Sequence, residues 1–155
     1  MGKLIALQFG KYPLDGHINI DSRPWLFPEE TNGICIPGQY SDFDCLFDNG
    51  TIDKIVFGEP LQSLSPEETT KCVKYWAEKL NNGGKLVLYY IGTGIFDDIV
   101  HRKVSKSKIN EYFFGTDGNF KSVMNRVMLS NLAAYCGLTE ELYNPQTNTL
   151  RLRKK

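Results

Sequence analysis

DNGTIDKIVFGEPLQSLSPEETTKCVKYWAEKLNNGGKLVL, residues 48–88, contains a turn, a strand, a capped helix and a second strand in unbroken succession. Asp48-Asn49-Gly50 marks a tight turn, because Asn and Gly tolerate the left-handed backbone that such turns need. Residues 52–57 (IDKIVF) then read as a buried strand. Ser65-Pro66-Glu67-Glu68 combines an N-cap serine, a proline at the first helical position and a glutamate that closes a capping box. Cys72, Val73, Trp76, Ala77 and Leu80 recur at helical spacing as one apolar face. Asn81-Asn82-Gly83-Gly84 supplies the helix stop, and residues 85–91 (KLVLYYI) give the strongest strand signal in the chain.

Outward from this unit the pattern repeats less clearly. Residues 3–8 (KLIALQ) and 17–20 (HINI) predict two further strands, separated by a loop with Pro13 and Asp15-Gly16 as breakers. Residues 25–41 are rich in Pro and Gly and read as loop, with a weak strand signal at 33–36 (GICI). After Gly92-Thr93-Gly94, short helices are predicted at 96–100 and 106–113. A longer amphipathic helix is predicted at 121–136, with Met124, Val127, Met128, Leu132 and Cys136 inward and Gly137 as terminator. The final predicted elements are a hairpin, residues 138–143 and 149–153, whose second arm, TLRLR, alternates like an edge strand. Strands alternating with helices predict an α/β domain over residues 1–155: a Rossmann-like, mostly parallel sheet with a C-terminal antiparallel hairpin.

Composition narrows the function classes. Among 155 residues, Lys plus Arg and Asp plus Glu each number 18, so the basic excess of a typical nucleic-acid binder is missing and such a partner is not indicated. No apolar run has the length of a membrane span, and nothing in MGKLIALQFG looks like a secretory leader. Cys35, Cys45, Cys72 and Cys136 form no CxxC pair and no cluster at metal-ligand spacing, so no metal site is expected. Reduced thiols and a cytoplasmic location follow as the simple expectation.

The series from Asp48 to Leu88 resembles the second half of a class I S-adenosylmethionine-dependent methyltransferase. In that family an acidic turn leads into a strand of the form D-x-hydrophobic-hydrophobic, then a polar segment, a helix and L-x-x-G-G-x-L. Here these stand as Asp48-Asn49-Gly50, Asp53-Lys54-Ile55-Val56-Phe57, residues 58–64 and Leu80-Asn81-Asn82-Gly83-Gly84-Lys85-Leu86. The N-terminus is similar to small members of the superfamily: a strand, a short glycine and proline loop (Gln8-Phe9-Gly10 to Pro13-Leu14-Asp15-Gly16), then His17-Ile18-Asn19-Ile20-Asp21.

The resemblance implies S-adenosylmethionine as cofactor and an acceptor that the sequence does not name. It implies a cofactor crevice where strand ends converge. The loop Gln8-Phe9-Gly10 would bring backbone N–H groups to the ligand, and Asp21 would accept the ribose hydroxyls. Asp42, Phe43 and Asp44 would lie near the adenine. Gly58 and Glu59 would face the methyl group, Glu59 nearest the chemistry. Two features depart from the family. Gln8 replaces the first glycine of the loop, and the short link between the first two strands leaves the first helix reduced or absent. These features keep a second reading open: a catalytically degenerate binding or structural module, open to homodimerisation. A binder of another nucleotide in the same crevice is the third.

Overall fold

Leu4–Leu7 (β1) lies between Ile18–Asp21 (β2) and Ile52–Pro60 (β4) and pairs with both in parallel. A computed structural model describes residues 2–90, 105–115, 118, 120–122 and 126–155. The expectations for Gly92 to Gly94, the helix at 96–100 and Met124 lie outside the described residues. Ile34–Pro37 (β3) adds in parallel beyond β2, and Leu80–Tyr89 (β5) in parallel beyond β4. Thr149–Lys154 (β7) then pairs antiparallel with β5, and Leu138–Asn144 (β6) antiparallel with β7. The seven-stranded order is β3-β2-β1-β4-β5-β7-β6.

One correction follows at once. TLRLR is an interior strand and β6 is the edge. Its alternation has another cause: Leu150 and Leu152 join the core while Arg151 and Arg153 face the other side of the sheet with their side chains partly in water.

The helices are Pro66–Lys79 (α1), Lys106–Phe114 (α2) and Arg126–Tyr135 (α3). α1 begins as its sequence dictates. The Ser65 side chain accepts from the Glu68 N–H at 3.2 Å, and the Glu68 carboxylate accepts from the Ser65 N–H at 2.7 Å. That backbone bond, helped by Lys121 at 3.5 Å, holds the Glu68 carboxyl below its ordinary range. A depressed carboxyl stabilises the fold above its unfolded pKa, and the contribution disappears as pH falls through the folded value. Glu68→Gln, which keeps the cap but not the charge, is therefore expected to lower stability at neutral pH by only about 0.5 kcal/mol, because solvent screens this exposed carboxylate. The gap from wild type closes below about pH 4. Urea midpoints at the two pH values check this, and a gap that persists in acid contradicts it.

α1 does not end on its glycines. Leu80 is already extended, and the Gly50 and Thr51 N–H groups donate to the Glu78 and Lys79 carbonyls. With the helix end satisfied from outside, Gly83 (φ +81°) and Gly84 lie inside β5, where a Cβ on Gly84 would sit 2.9 Å from the Asn81 carbonyl.

α3 is shorter than predicted and phased differently. The Lys121 N–H donates to the Gln62 carbonyl and the Ser122 hydroxyl to that of Leu64, so this stretch is spent on another segment before the helix starts. Leu129 and Ala133 point inward, whereas Val127 and Met128 are exposed. The core therefore sits on one side of the sheet. Ile5, Leu7, Ile55, Phe57, Leu86 and Leu88 meet α1 and α3 there, around a fully buried Trp76.

The link from β1 to β2 runs across the sheet in the opposite sense to the link from β4 to β5, so right-handed crossovers put the two on opposite faces. Asn19 shows it: in register with Ala6 and outside the core cluster, its amide binds both the N–H and the carbonyl of Leu14. That link contains no helix, as the sequence implied.

Candidate functional site

β2 and β4 lie on opposite sides of β1, and their connections leave in opposite directions, so the C-terminal ends of these strands open into a crevice at the switch point. The sequence puts Gln8-Phe9-Gly10 after β1, Asp21 at the end of β2, and Gly58-Glu59 near the end of β4. The structure brings all six together.

Gln8 holds a left-handed backbone (φ +61°), which for a residue with a side chain costs roughly 1–3 kcal/mol. Its surroundings offset that cost. The Gln8 N–H donates to the Ile20 carbonyl at 2.9 Å. Its side chain, 6% exposed, clasps Ser22 twice: Oε1 accepts from the Ser22 N–H at 2.7 Å and Nε2 donates to Oγ at 3.0 Å. Gly10 (φ +55°) follows, with Leu26 packed on it so that a Cβ would meet Leu26 Cδ1 at 3.2 Å. Gly58 has no room for a side chain either, since a Cβ would lie 2.9 Å from both the Gln8 carbonyl and the Phe9 ring. The loop is thus folded down onto β4.

Asp21 is 1% exposed, and both its oxygens are engaged. Oδ2 accepts from the Gly10 N–H at 2.8 Å and from Arg23 Nη2 at 3.2 Å. Oδ1 accepts from the Arg23 N–H at 2.8 Å and from Nε at 3.0 Å. The other arm of the same guanidinium reaches Glu59 at 3.1 Å, and Glu59 also accepts a long bond of 3.4 Å from Ser63. One cation thus bridges two carboxylates across the mouth of the crevice. The hydrogen bonds to Asp21 raise the already high pKa of Arg23, so it stays charged. Arg23 and Ser22 are the residues that the sequence reading missed. The signal was local: a carboxylate and a guanidinium two residues apart, just past a strand.

Asp42, Phe43 and Asp44 do not join this group. Phe43 is buried against Tyr75 and Phe47, with its N–H donating to the Tyr75 hydroxyl at 2.7 Å. Asp44 meets Lys79 at 2.5 Å and accepts from Tyr75 at 2.9 Å; these bonds, Lys79 first, lower its pKa. Asp42 accepts from the Asp44 N–H at 3.3 Å. The segment thus runs beside the later turns of α1 rather than over the strand ends. Just past β3, Gly38 donates to the Asp21 carbonyl at 3.0 Å, which places Gly38 and Gln39 beside the crevice instead.

No family model matches the chain, and no curated protein matches it by sequence. Its backbone does match solved structures. A SAM-dependent methyltransferase from Methanosarcina mazei superposes at TM-score 0.63 with 14% identity, over 99% of this chain and 92% of that one. One from Archaeoglobus fulgidus gives 0.67 and 13%, over 92% and 65%. Magnesium protoporphyrin IX methyltransferase from Synechocystis, with bound SAH, gives 0.62 and 12%, over 99% and 75%. The chain has the class I methyltransferase fold. In this chain the loops after β1 and β2 are drawn together over the strand ends. Among the described residues no helix is long and apolar enough to cross a membrane, and no group of His, Cys, Asp and Glu is arranged to hold a metal. All four cysteines are free, and burial raises the Cys72 thiol to about 11.

Proposed function

We propose that the crevice binds S-adenosylmethionine and that the chain is a methyltransferase. The observation that carries this reading is Asp21: a buried carboxylate at the end of β2, bonded to the backbone of the glycine loop beside it. Two acceptor oxygens there suit the paired hydroxyls of a ribose. Fit depends on Arg23, which now occupies them. Its side chain is 35% exposed, so its head can turn into water and free both Asp21 and Glu59. Gly10 and Asp21 would then hold the nucleoside, with Gly58 and Glu59 beside the reacting end. The cofactor supplies a methyl group already activated by the sulfonium. The protein's task is alignment of the acceptor and exclusion of water. The cofactor is a cation at sulfur, and Glu59 gives that end of the crevice a matching carboxylate.

Titration calorimetry with S-adenosylmethionine and S-adenosylhomocysteine tests this. Micromolar binding is expected for the wild type, and a loss of at least about tenfold in Asp21→Asn, which keeps the side chain's shape. Absence of heat at millimolar ligand removes the enzyme reading.

A second reading has its own observations. The Gln8–Ser22 clasp and the Arg23 bridge engage the polar groups at the mouth of the crevice, and α3 exposes Val127, Met128 and Tyr135. A catalytically silent module that pairs as a homodimer through that apolar face accounts for both; it predicts a dimer on sedimentation together with no heat in the calorimetry.

A further inference from the structure

We propose that Glu59 and Arg23 together sort ligands by charge, holding the sulfonium form of the cofactor and releasing its neutral thioether product; this rests on the crevice reading above. Arg23 binds two carboxylates at once, and they depend on it unequally. Asp21 keeps two backbone donors whatever the guanidinium does: the Gly10 N–H on Oδ2 and the Arg23 N–H on Oδ1, both at 2.8 Å. A ribose that displaces the Arg23 head offers hydroxyls in its place. Glu59 has no such reserve. Among the described residues its hydrogen-bond and ion-pair partners are the Arg23 head at 3.1 Å and the Ser63 hydroxyl at a long 3.4 Å. Opening the bridge therefore leaves Asp21 satisfied and strands Glu59.

The cost of opening thus falls at one end of the crevice, and a positive charge at that end offsets it. With the bridge closed, Asp21 and Glu59 share one cation; with Arg23 turned into water they have none. Glu59 is 28% exposed, so water screens it only in part. S-adenosylmethionine returns a cation to Glu59 through its sulfonium. S-adenosylhomocysteine has the same adenine, ribose and amino-acid end but brings a neutral sulfur. One charge at a partly screened site separates two otherwise equal ligands by about tenfold.

Methyl transfer itself removes that charge. Passage of the methyl carbon to an acceptor nucleophile leaves the C–S bonding pair on sulfur. The positive charge goes to the acceptor, which ends neutral by releasing a proton. Glu59 then faces a thioether, and the cation within its reach is the guanidinium of Arg23, two residues from Asp21 and always charged. The same head serves both carboxylates, so its return to Glu59 also returns it to Asp21 and displaces the ribose. The charge on sulfur is sensed at Glu59 and acted upon at Asp21.

Titration calorimetry on the full chain tests this with three ligands at about 50 mM salt, where screening is weak. They are S-adenosylmethionine, S-adenosylhomocysteine and an analogue with an ammonium-bearing carbon in place of the sulfonium sulfur. The wild type is expected to bind both cationic ligands about tenfold more tightly than the thioether. Glu59→Gln brings all three within about twofold, chiefly by weakening the cationic pair. Asp21→Asn removes the same charge at the ribose end; it weakens all three together and keeps a preference of about tenfold. Circular dichroism melts confirm that both variants fold. Equal affinities in the wild type, tighter binding of the thioether, a preference that survives Glu59→Gln or one that vanishes in Asp21→Asn overturns the proposal and leaves the crevice reading standing. Absence of heat with every ligand overturns both.

Discussion

Arg23→Ala binds S-adenosylmethionine about tenfold more tightly than the wild type, a gain of about 1.4 kcal/mol. The expectation follows from what the guanidinium displaces. Arg23 holds both oxygens of Asp21 and one of Glu59, so a ribose and a sulfonium must compete with it for the same acceptors. Removing it leaves two carboxylates facing a cationic ligand with no local cation opposed to them. Deprotonation of Arg23 does not open the bridge, because its bonds to Asp21 raise the guanidinium pKa further. A better partner for Asp21 opens it. Arg23→Lys, which retains the charge but not the two-pronged geometry, falls between alanine and wild type. Calorimetry on the three proteins decides the matter. Unchanged affinity in Arg23→Ala means that the bridge does not gate the crevice, and weaker affinity makes Arg23 a ligand contact.

Trp76→Ala is expected to lower unfolding free energy by about 3–5 kcal/mol, a large part of the total for a chain of this size. The indole is fully buried, with its ring centroid 5.0 Å from that of Phe57. Its Nε1–H donates to the Tyr40 carbonyl at 2.8 Å. Truncation therefore opens a cavity under β4 and also strips a buried carbonyl of its donor. The second effect extends to the site: Tyr40 belongs to the segment leaving β3, and that segment passes Gly38, which is bonded to the Asp21 carbonyl. Trp76→Phe, which fills most of the space and lacks the donor, separates the two contributions. Urea unfolding measures both variants, and a loss below about 1 kcal/mol for alanine would contradict the packing described here.

The parallel half of the fold was legible because its signals are local. Ser65 to Glu68 contains a complete helix start, and residues 86–88 are apolar on both faces as a strand interior should be. Other features were decided by partners distant in sequence. Nothing near Leu80 announces that Gly50 and Thr51 cap α1, so the glycines that follow were taken for its terminator. Alternation in β7 was taken for an edge because a half-exposed interior strand gives the same pattern. Gly10, Asp21 and Glu59 were expected near strand ends, and the structure places them around one crevice. The segment with Phe43 and Asp44 was misplaced because the aromatic contacts of Tyr75 and the charge of Lys79, both on α1, draw it away from the crevice.

The position of β7 also governs the order in which the sheet can be made. β5 is the partner of a strand that lies far downstream, with Lys85 meeting Arg153. As the polypeptide emerges from the ribosome, strands β3, β2, β1, β4 and β5 can zip together while the outer rim of β5 stays unpaired. During that interval its backbone is a template for any extended segment nearby, including one from a neighbouring nascent chain. β6 cannot shield it, since β6 joins only through β7. Lys85, on the side of β5 away from the core, thus has a task before folding ends: a charge on a waiting rim discourages the wrong strand from seating there.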